Sequence, residues 1–197
     1  MLGGMGNREA LLDGAERCLV DKGYARTTAR DITSEAGVSL AAIGYHFGSK
    51  EELLKAALRR SLERWGDEIS ELKQEMHLAD GEGDRFVDTW DRVIDSFRES
   101  SKLWAVQFEL LAALEREPEL RQSFAAETRH ARIALANLFD TIPEDNEEAE
   151  KLGAFYQVLL AGLAAQWLSD PETTPSGQEL LDAIKLVAMD LLPPRQS

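Results

Sequence analysis

Apolar residues recur at three- and four-residue intervals along most of the chain, and the two-residue alternation of half-buried strands is nearly absent. The pattern predicts an all-α protein of about nine helices, broken at Lys22-Gly23-Tyr24, Ala36-Gly37-Val38, Gly48-Ser49-Lys50, Asp80 to Asp84, Glu117-Pro118, Ile142 to Asn146 and Ser169 to Gly177. A first helix is expected over about Arg8 to Lys22, where Ala10, Leu11, Ala15, Cys18 and Leu19 share a face and Gly23 is the stop. A second, about Thr28 to Ala36, follows a Thr27/Thr28 N-cap signal and points Ile32 and Ala36 inward. After a turn at Gly37, Ser39 is read as the cap of a third helix with Ile43 and Phe47 on its buried side. Ser49 with Glu52 then forms a capping-box pattern opening a long helix to about Glu75. Five more are expected over about Asp84 to Glu99, Ser101 to Arg116, Pro118 to Phe139, Glu147 to Leu168 and Gly177 to Leu192.

Length and composition sharpen this reading. The 197 residues, 44% of them apolar, are enough to fill a real core. Net charge is −14, which excludes coating of nucleic acid or of an anionic membrane by bulk charge. The acid is unevenly spread: up to Arg60 nine basic residues oppose eight acidic ones, so the first part can approach phosphate while the rest repels it. The lone Cys18 permits no intrachain disulfide and reads as a small core residue. Met1 to Gly6 lacks the basic and apolar regions of a signal peptide, and the apolar run Val158 to Leu168 is about half a bilayer span, so a cytoplasmic protein with no membrane partner is expected.

Two short helices joined by a glycine turn within about twenty residues are the geometry that lays the second helix in the major groove of DNA. Ile32, Ala36, Val38, Ile43 and Phe47 would fix the angle between them. Ser39, Leu40, Ala41, Ala42, Gly44 and Tyr45 are left for the outer face, flanked by the phosphate-binding candidates Arg26, Thr27, Thr28, Arg30, His46 and Lys50. The outer face carries no Arg, Lys, Asn or Gln, so base choice would rest on thymine methyls met by Leu40, Ala41 and Ala42, on Tyr45, and on DNA shape.

The run Thr27-Thr28-Ala29-Arg30-Asp31-Ile32-Thr33-Ser34-Glu35-Ala36-Gly37-Val38-Ser39, followed by Ile43 and by Tyr45-His46-Phe47-Gly48-Ser49-Lys50-Glu51-Glu52-Leu53, closely resembles the signature of the TetR family of transcriptional regulators. The resemblance covers about residues 8 to 55, departing at Gly44, where many relatives have an aromatic, and at Ala41, where many have glycine. It implies a DNA-binding domain over 1–49, with Tyr45, His46, Lys50 and Thr28 on the DNA backbone. It also implies a ligand-binding and dimerisation domain over 50–197. The expected function is a one-component regulator, by family default a repressor, that binds a palindromic operator on double-stranded DNA as a homodimer and is released by a small-molecule effector.

By the same resemblance the last two long helices pair with their two-fold mates, through Leu159, Leu160, Leu163, Trp167, Leu180, Ile184 and Val187. Trp90, Trp104, Gln107, Phe108, Leu111 and Tyr156 are the candidate ligand-binding residues, and Gln107 with Glu109 hints at a ligand carrying a donor or a cation. A catalytic reading is weaker. Glu127 and His130 give one Glu-x-x-His where a di-iron bundle needs two, and His46 and His77 lack the partner glutamate. Gly37 to Ala41 is similar to a nucleophile elbow but lacks its strand and final glycine. No enzyme activity, cofactor or metal is expected. A dimeric binding or scaffolding protein without an operator is the remaining alternative.

Overall fold

A computed structural model describes residues 3–75, 82–139 and 147–191, and among them helices joined by short turns are the regular elements. The helices are α1 (Gly3–Lys22), α2 (Ala29–Ala36), α3 (Ala41–Phe47), α4 (Lys50–Glu75), α5 (Glu82–Ala113), α6 (Pro118–Phe139), α7 (Glu147–Ser169) and α8 (Gly177–Leu191), with one 3-10 turn at Pro171–Thr173. With that turn the described residues hold nine helices, as the periodicity predicts, but the ninth is not the one expected. The two helices read over Asp84 to Glu99 and Ser101 to Arg116 are a single α5, ending at Ala113. Neither glycine nor proline stands between them, and a serine pair inside a helix costs far less than a break in the backbone ladder. α5 starts at Glu82, within the break expected at Asp80 to Asp84, while residues 76–81, His77 among them, and the break at Ile142 to Asn146 lie outside the described residues.

The chain divides into two compact units, Met1–Asp67 with Ser100–Arg129, and Glu68–Glu99 with His130–Ser197. In the first, Leu11, Leu12, Ala15, Cys18 and Leu19 of α1 pack with Ile32, Ala42 and Ile43, with Leu53, Leu54, Ala57 and Leu58 of α4, and with Val106 and Leu110 of α5. Gly14 permits the close α1–α2 crossing, because a Cβ there would meet the Ile32 carbonyl at 3.0 Å. Burial raises the Cys18 thiol above its ordinary value, in keeping with a core residue.

Across this unit α4 is clamped to α1 by charge. The Arg60 guanidinium donates to Glu16 at 2.9 Å, Asp13 at 2.5 Å and Glu9 at 3.1 Å, and Arg64 donates to the same Glu16 at 2.7 Å. Burial pushes the Glu16 carboxyl up, but the hydrogen bonds from Arg60, Arg64 and Ser61 outweigh it and hold the group below its ordinary value. A depressed carboxyl contributes stability that is complete above the ordinary value of 4.5 and is lost as pH falls through the folded value. Thermal melting followed from neutral to acid pH is therefore expected to show a steep loss below about 4.5, and Glu16→Gln to flatten that limb while lowering the neutral-pH melting temperature. An unchanged acid limb in the variant would remove Glu16 from the clamp.

The second unit is held by rings and by close helix crossings. Phe139 stacks between Trp90 and Tyr156, with centroids 4.7 and 4.3 Å away, and Phe86 lies 6.2 Å from Trp90. Phe97 meets Trp167 at 6.2 Å. α6 and α7 cross at Gly153, where a Cβ would overlap the Arg132 carbonyl oxygen, and Arg132 Nε donates to Gln157 Oε1 at 2.9 Å beside it. α8 is seated on α5 by Gly177, whose amide donates to Asp91 at 2.6 Å.

Candidate nucleic-acid interface

α2 and α3 are set by three glycines in the left-handed region, Gly23 (φ 80), Gly37 (φ 66) and Gly48 (φ 79), each closing a helix where a side chain would be strained. Thr28 caps α2 reciprocally with Asp31: the Thr28 hydroxyl accepts from the Asp31 amide at 3.2 Å, and Asp31 Oδ2 accepts from the Thr28 amide at 2.9 Å. Lys22, 2.5 Å from Asp31, and the Thr28 bonds hold that carboxyl far below its ordinary value. The Gly37 turn then delivers α3. Its N-cap position is Leu40, with no side-chain cap, and not Ser39 as expected. Ser39 stands one residue before that position, and its carbonyl accepts from the Ala42 amide at 3.0 Å. The predicted cap at Ser49 is in place, its hydroxyl accepting from the Glu52 amide at 3.0 Å at the start of α4.

Tyr45 is 84% exposed, far outside any packing role. Ser39, Leu40, Ala41 and Gly44 are exposed with it. Beyond them lie exposed Arg26, Thr28 and Arg30 and half-buried His46 and Lys50. The ring of His46 meets Tyr45 edge-on at 4.8 Å. Lys50 Nζ donates to the Thr27 carbonyl at 3.3 Å, which ties the start of α4 to the turn before α2.

Two expected members of this face lie elsewhere. Thr27 is 1% exposed, its hydroxyl donating to the carbonyls of Gly23 at 2.7 Å and Cys18 at 3.2 Å, so it locks the end of α1 and cannot reach phosphate. Ala42 is 9% exposed and packs beside Ile43, leaving Leu40 and Ala41 as the apolar contacts that α3 presents. Of the expected small core, Ile32 and Ile43 are buried, with Ala36, Val38 and Phe47 packed against them half-buried.

The six residues expected to bind ligand are divided between the units: Trp90 and Tyr156 in the second, Trp104, Gln107, Phe108 and Leu111 in the first. Trp104 packs on Trp65 edge to face at 5.2 Å, and Leu111 is 39% exposed. Glu109, expected to greet a cationic ligand, is taken by the fold itself: its carboxylate accepts from the Ala25 amide at 3.2 Å, and a Cβ on Gly23 would strike it. No sequence pattern announces that contact, which joins residues 84 apart.

Of the residues expected to dimerise, Leu160 and Leu163 are buried among their own neighbours, and Leu159, Leu180, Ile184 and Trp167 are half-buried, Trp167 on Phe97. Val187 is exposed, and the apolar surface around it is made by Leu186, Met189 and Leu191 of α8, with Phe155 and Val158 exposed on α7. α7 is by length and composition apolar enough to cross a membrane, and Ala149, Gly153, Tyr156, Leu160, Leu163 and Ala164 are buried along it. Among the described residues no three His, Cys, Asp or Glu side chains converge as a metal set, and the side chains of Glu127 and His130 lie outside those described.

Comparison with known proteins agrees with this geometry. The profile of the bacterial regulatory proteins of the tetR family matches residues 11–57, and that of the C-terminal part of BetI-type transcriptional repressors matches residues 82–189. The chain belongs to the TetR family of bacterial transcriptional regulators, a family of regulators and not of enzymes. It is similar to the transcriptional repressor AcnR of Corynebacterium efficiens, 38% identical over 65 residues, a match that takes in 33% of this chain and only 35% of that repressor. It is similar along most of its length to the repressor Rv1474c of Mycobacterium tuberculosis, 27% identical over 89% of this chain and 90% of that protein. A solved TetR-family regulator from Mesorhizobium loti shares the fold, with TM-score 0.66 and 16% identity over 95% of this chain and 98% of its own.

Proposed function

We propose that this chain is a one-component transcriptional repressor of the cytoplasm that binds a palindromic operator as a homodimer and is released by a small-molecule effector. Residues 1–49 form its DNA-binding part and 50–197 its effector-binding and dimerisation part. The observation that carries the reading is α3 itself: a seven-residue helix delivered by the Gly37 turn, with Tyr45 fully out in solvent between Leu40 and Ala41 on one side and His46 and Lys50 on the other. Tyr45, His46, Lys50, Thr28, Arg26 and Arg30 contact phosphate, while Leu40, Ala41 and Ser39 meet base edges, with Gly44 allowing close approach.

Such a face reads few bases, so one half-site is weakly specific, and a dimer reading two half-sites about 34 Å apart multiplies the discrimination. The exposed Val158, Leu186, Val187, Met189 and Leu191 are the apolar surface for that pairing, with α7 and α8 of each copy forming a four-helix contact. The effector site is best supported around Trp90, Phe139 and Tyr156, where the buried Trp90 Nε1 has no hydrogen-bond partner among the described residues. The effector releases DNA only by as much as it prefers the DNA-incompetent state. Since Arg60 and Arg64 clamp α4 to α1, any shift of α4 carries the reading helices with it.

The test is selection of purified protein against fragments of its own genome at moderate salt. Recovery of one two-fold symmetric motif is expected. Folded, dimeric protein that enriches nothing would point instead to a dimeric binding protein without an operator.

A further inference from the structure

We propose that Arg8 of α1 is a further phosphate-binding residue, held at the end of α3 by the ring of Phe47; the proposal rests on the reading of α3 as the DNA-facing helix. The Arg8 guanidinium carbon lies 5.2 Å from the centroid of Phe47, the last residue of α3. Phe47 is in turn 6.5 Å from His46, and His46 4.8 Å from Tyr45, so the guanidinium ends a row of rings that begins at the solvent-exposed Tyr45. A guanidinium resting on a ring face is oriented without using its N–H edge, and that planar edge matches the oxygens of a phosphate.

The partner Arg8 has in the free protein is easily exchanged. Its Nη1 sits 3.0 Å from Glu9 Oε1, with both side chains about half exposed, a pairing of neighbours in sequence that water screens strongly. Glu9 is held independently, since its other oxygen accepts from Arg60 Nη1 at 3.1 Å. Arg8 can therefore give up the Glu9 carboxylate for a phosphate oxygen, keep its stack on Phe47, and leave Glu9 still bonded. Two other cations of the face also brace the backbone before α2, Lys50 through the Thr27 carbonyl at 3.3 Å and Arg26 through the Lys22 carbonyl at 2.7 Å, each by one of its N–H groups. Arg8 lies at the exit from α3, on the Phe47 ring. A purely structural Arg8 would instead act through the Phe47 stack alone.

The experiment measures affinity of the full chain for a mixed-sequence duplex of about 30 base pairs at several salt concentrations, for wild type, Arg8→Ala, Arg8→Lys and Glu9→Gln, with melting temperatures alongside. Arg8→Ala is expected to reduce the slope of log affinity against log salt by about one unit per bound protomer, and Arg8→Lys to restore it, because the slope counts charges and not stacking. Glu9→Gln is expected to tighten binding. A wild-type slope in Arg8→Ala overturns the proposal, whatever that variant does to the melting temperature. Wild-type protein with no salt-dependent affinity overturns the DNA-binding reading of α3 and this proposal with it.

Discussion

Gly153→Ala is expected to destabilise the protein by about 1–3 kcal/mol, although alanine is the better helix former by about 1 kcal/mol. The added Cβ would overlap the carbonyl oxygen and carbon of Arg132, both backbone atoms of α6. No rotamer change relieves that overlap. Only a separation of α6 from α7 does, and it would stretch the Arg132–Gln157 hydrogen bond and loosen the stack of Phe139 on Tyr156. Gly162 lies in the same helix with nothing within 4 Å of its Cβ position, so Gly162→Ala reports the propensity gain alone and is expected to stabilise by up to about 1 kcal/mol. Urea unfolding of the two variants separates the effects. Equal stability of both would mean that the helices do not cross at Gly153.

Tyr45→Ala is expected to weaken binding to the selected DNA ten- to a hundred-fold, about 1–3 kcal/mol, with stability unchanged within about 0.5 kcal/mol. The two halves of that expectation share one cause. With 84% of its surface in water, Tyr45 leaves almost no packing behind when truncated, and what it supplies is a phenol presented to a partner. Anisotropy titration and thermal melting together test it. Lower stability with unchanged affinity would make Tyr45 a packing residue.

Much of this architecture is visible in residue order because local chemistry decides it. Pro118 opens α6 where its missing amide costs nothing, and Gly23, Gly37 and Gly48 stop helices at dihedrals that disfavour other residues. The reading unit followed from those stops and from Ile32 and Ile43. What was not legible needed the third dimension. Thr27 looked like a surface donor by residue type, yet two backbone carbonyls at the end of α1 claim its hydroxyl. In a helix of seven residues, Ala41 and Ala42 are alike in size and polarity, so periodicity could not say which one faces inward. Serines 100 and 101 carry the same composition inside a helix as at a cap, which hid the continuity of α5. On α7 the leucines drew attention because they are apolar, but Leu160 and Leu163 are satisfied within the chain and Val158 is the residue left at 71% exposure.

The central claim, that α3 reads DNA in the major groove as half of a symmetric pair, is tested most directly by hydroxyl-radical footprinting with guanine-methylation interference on the selected fragment. Two protected patches related by two-fold symmetry, about one helical turn apart and blocked by major-groove methylation, are the predicted result. A single unpaired patch, or protection indifferent to major-groove methylation, would contradict it.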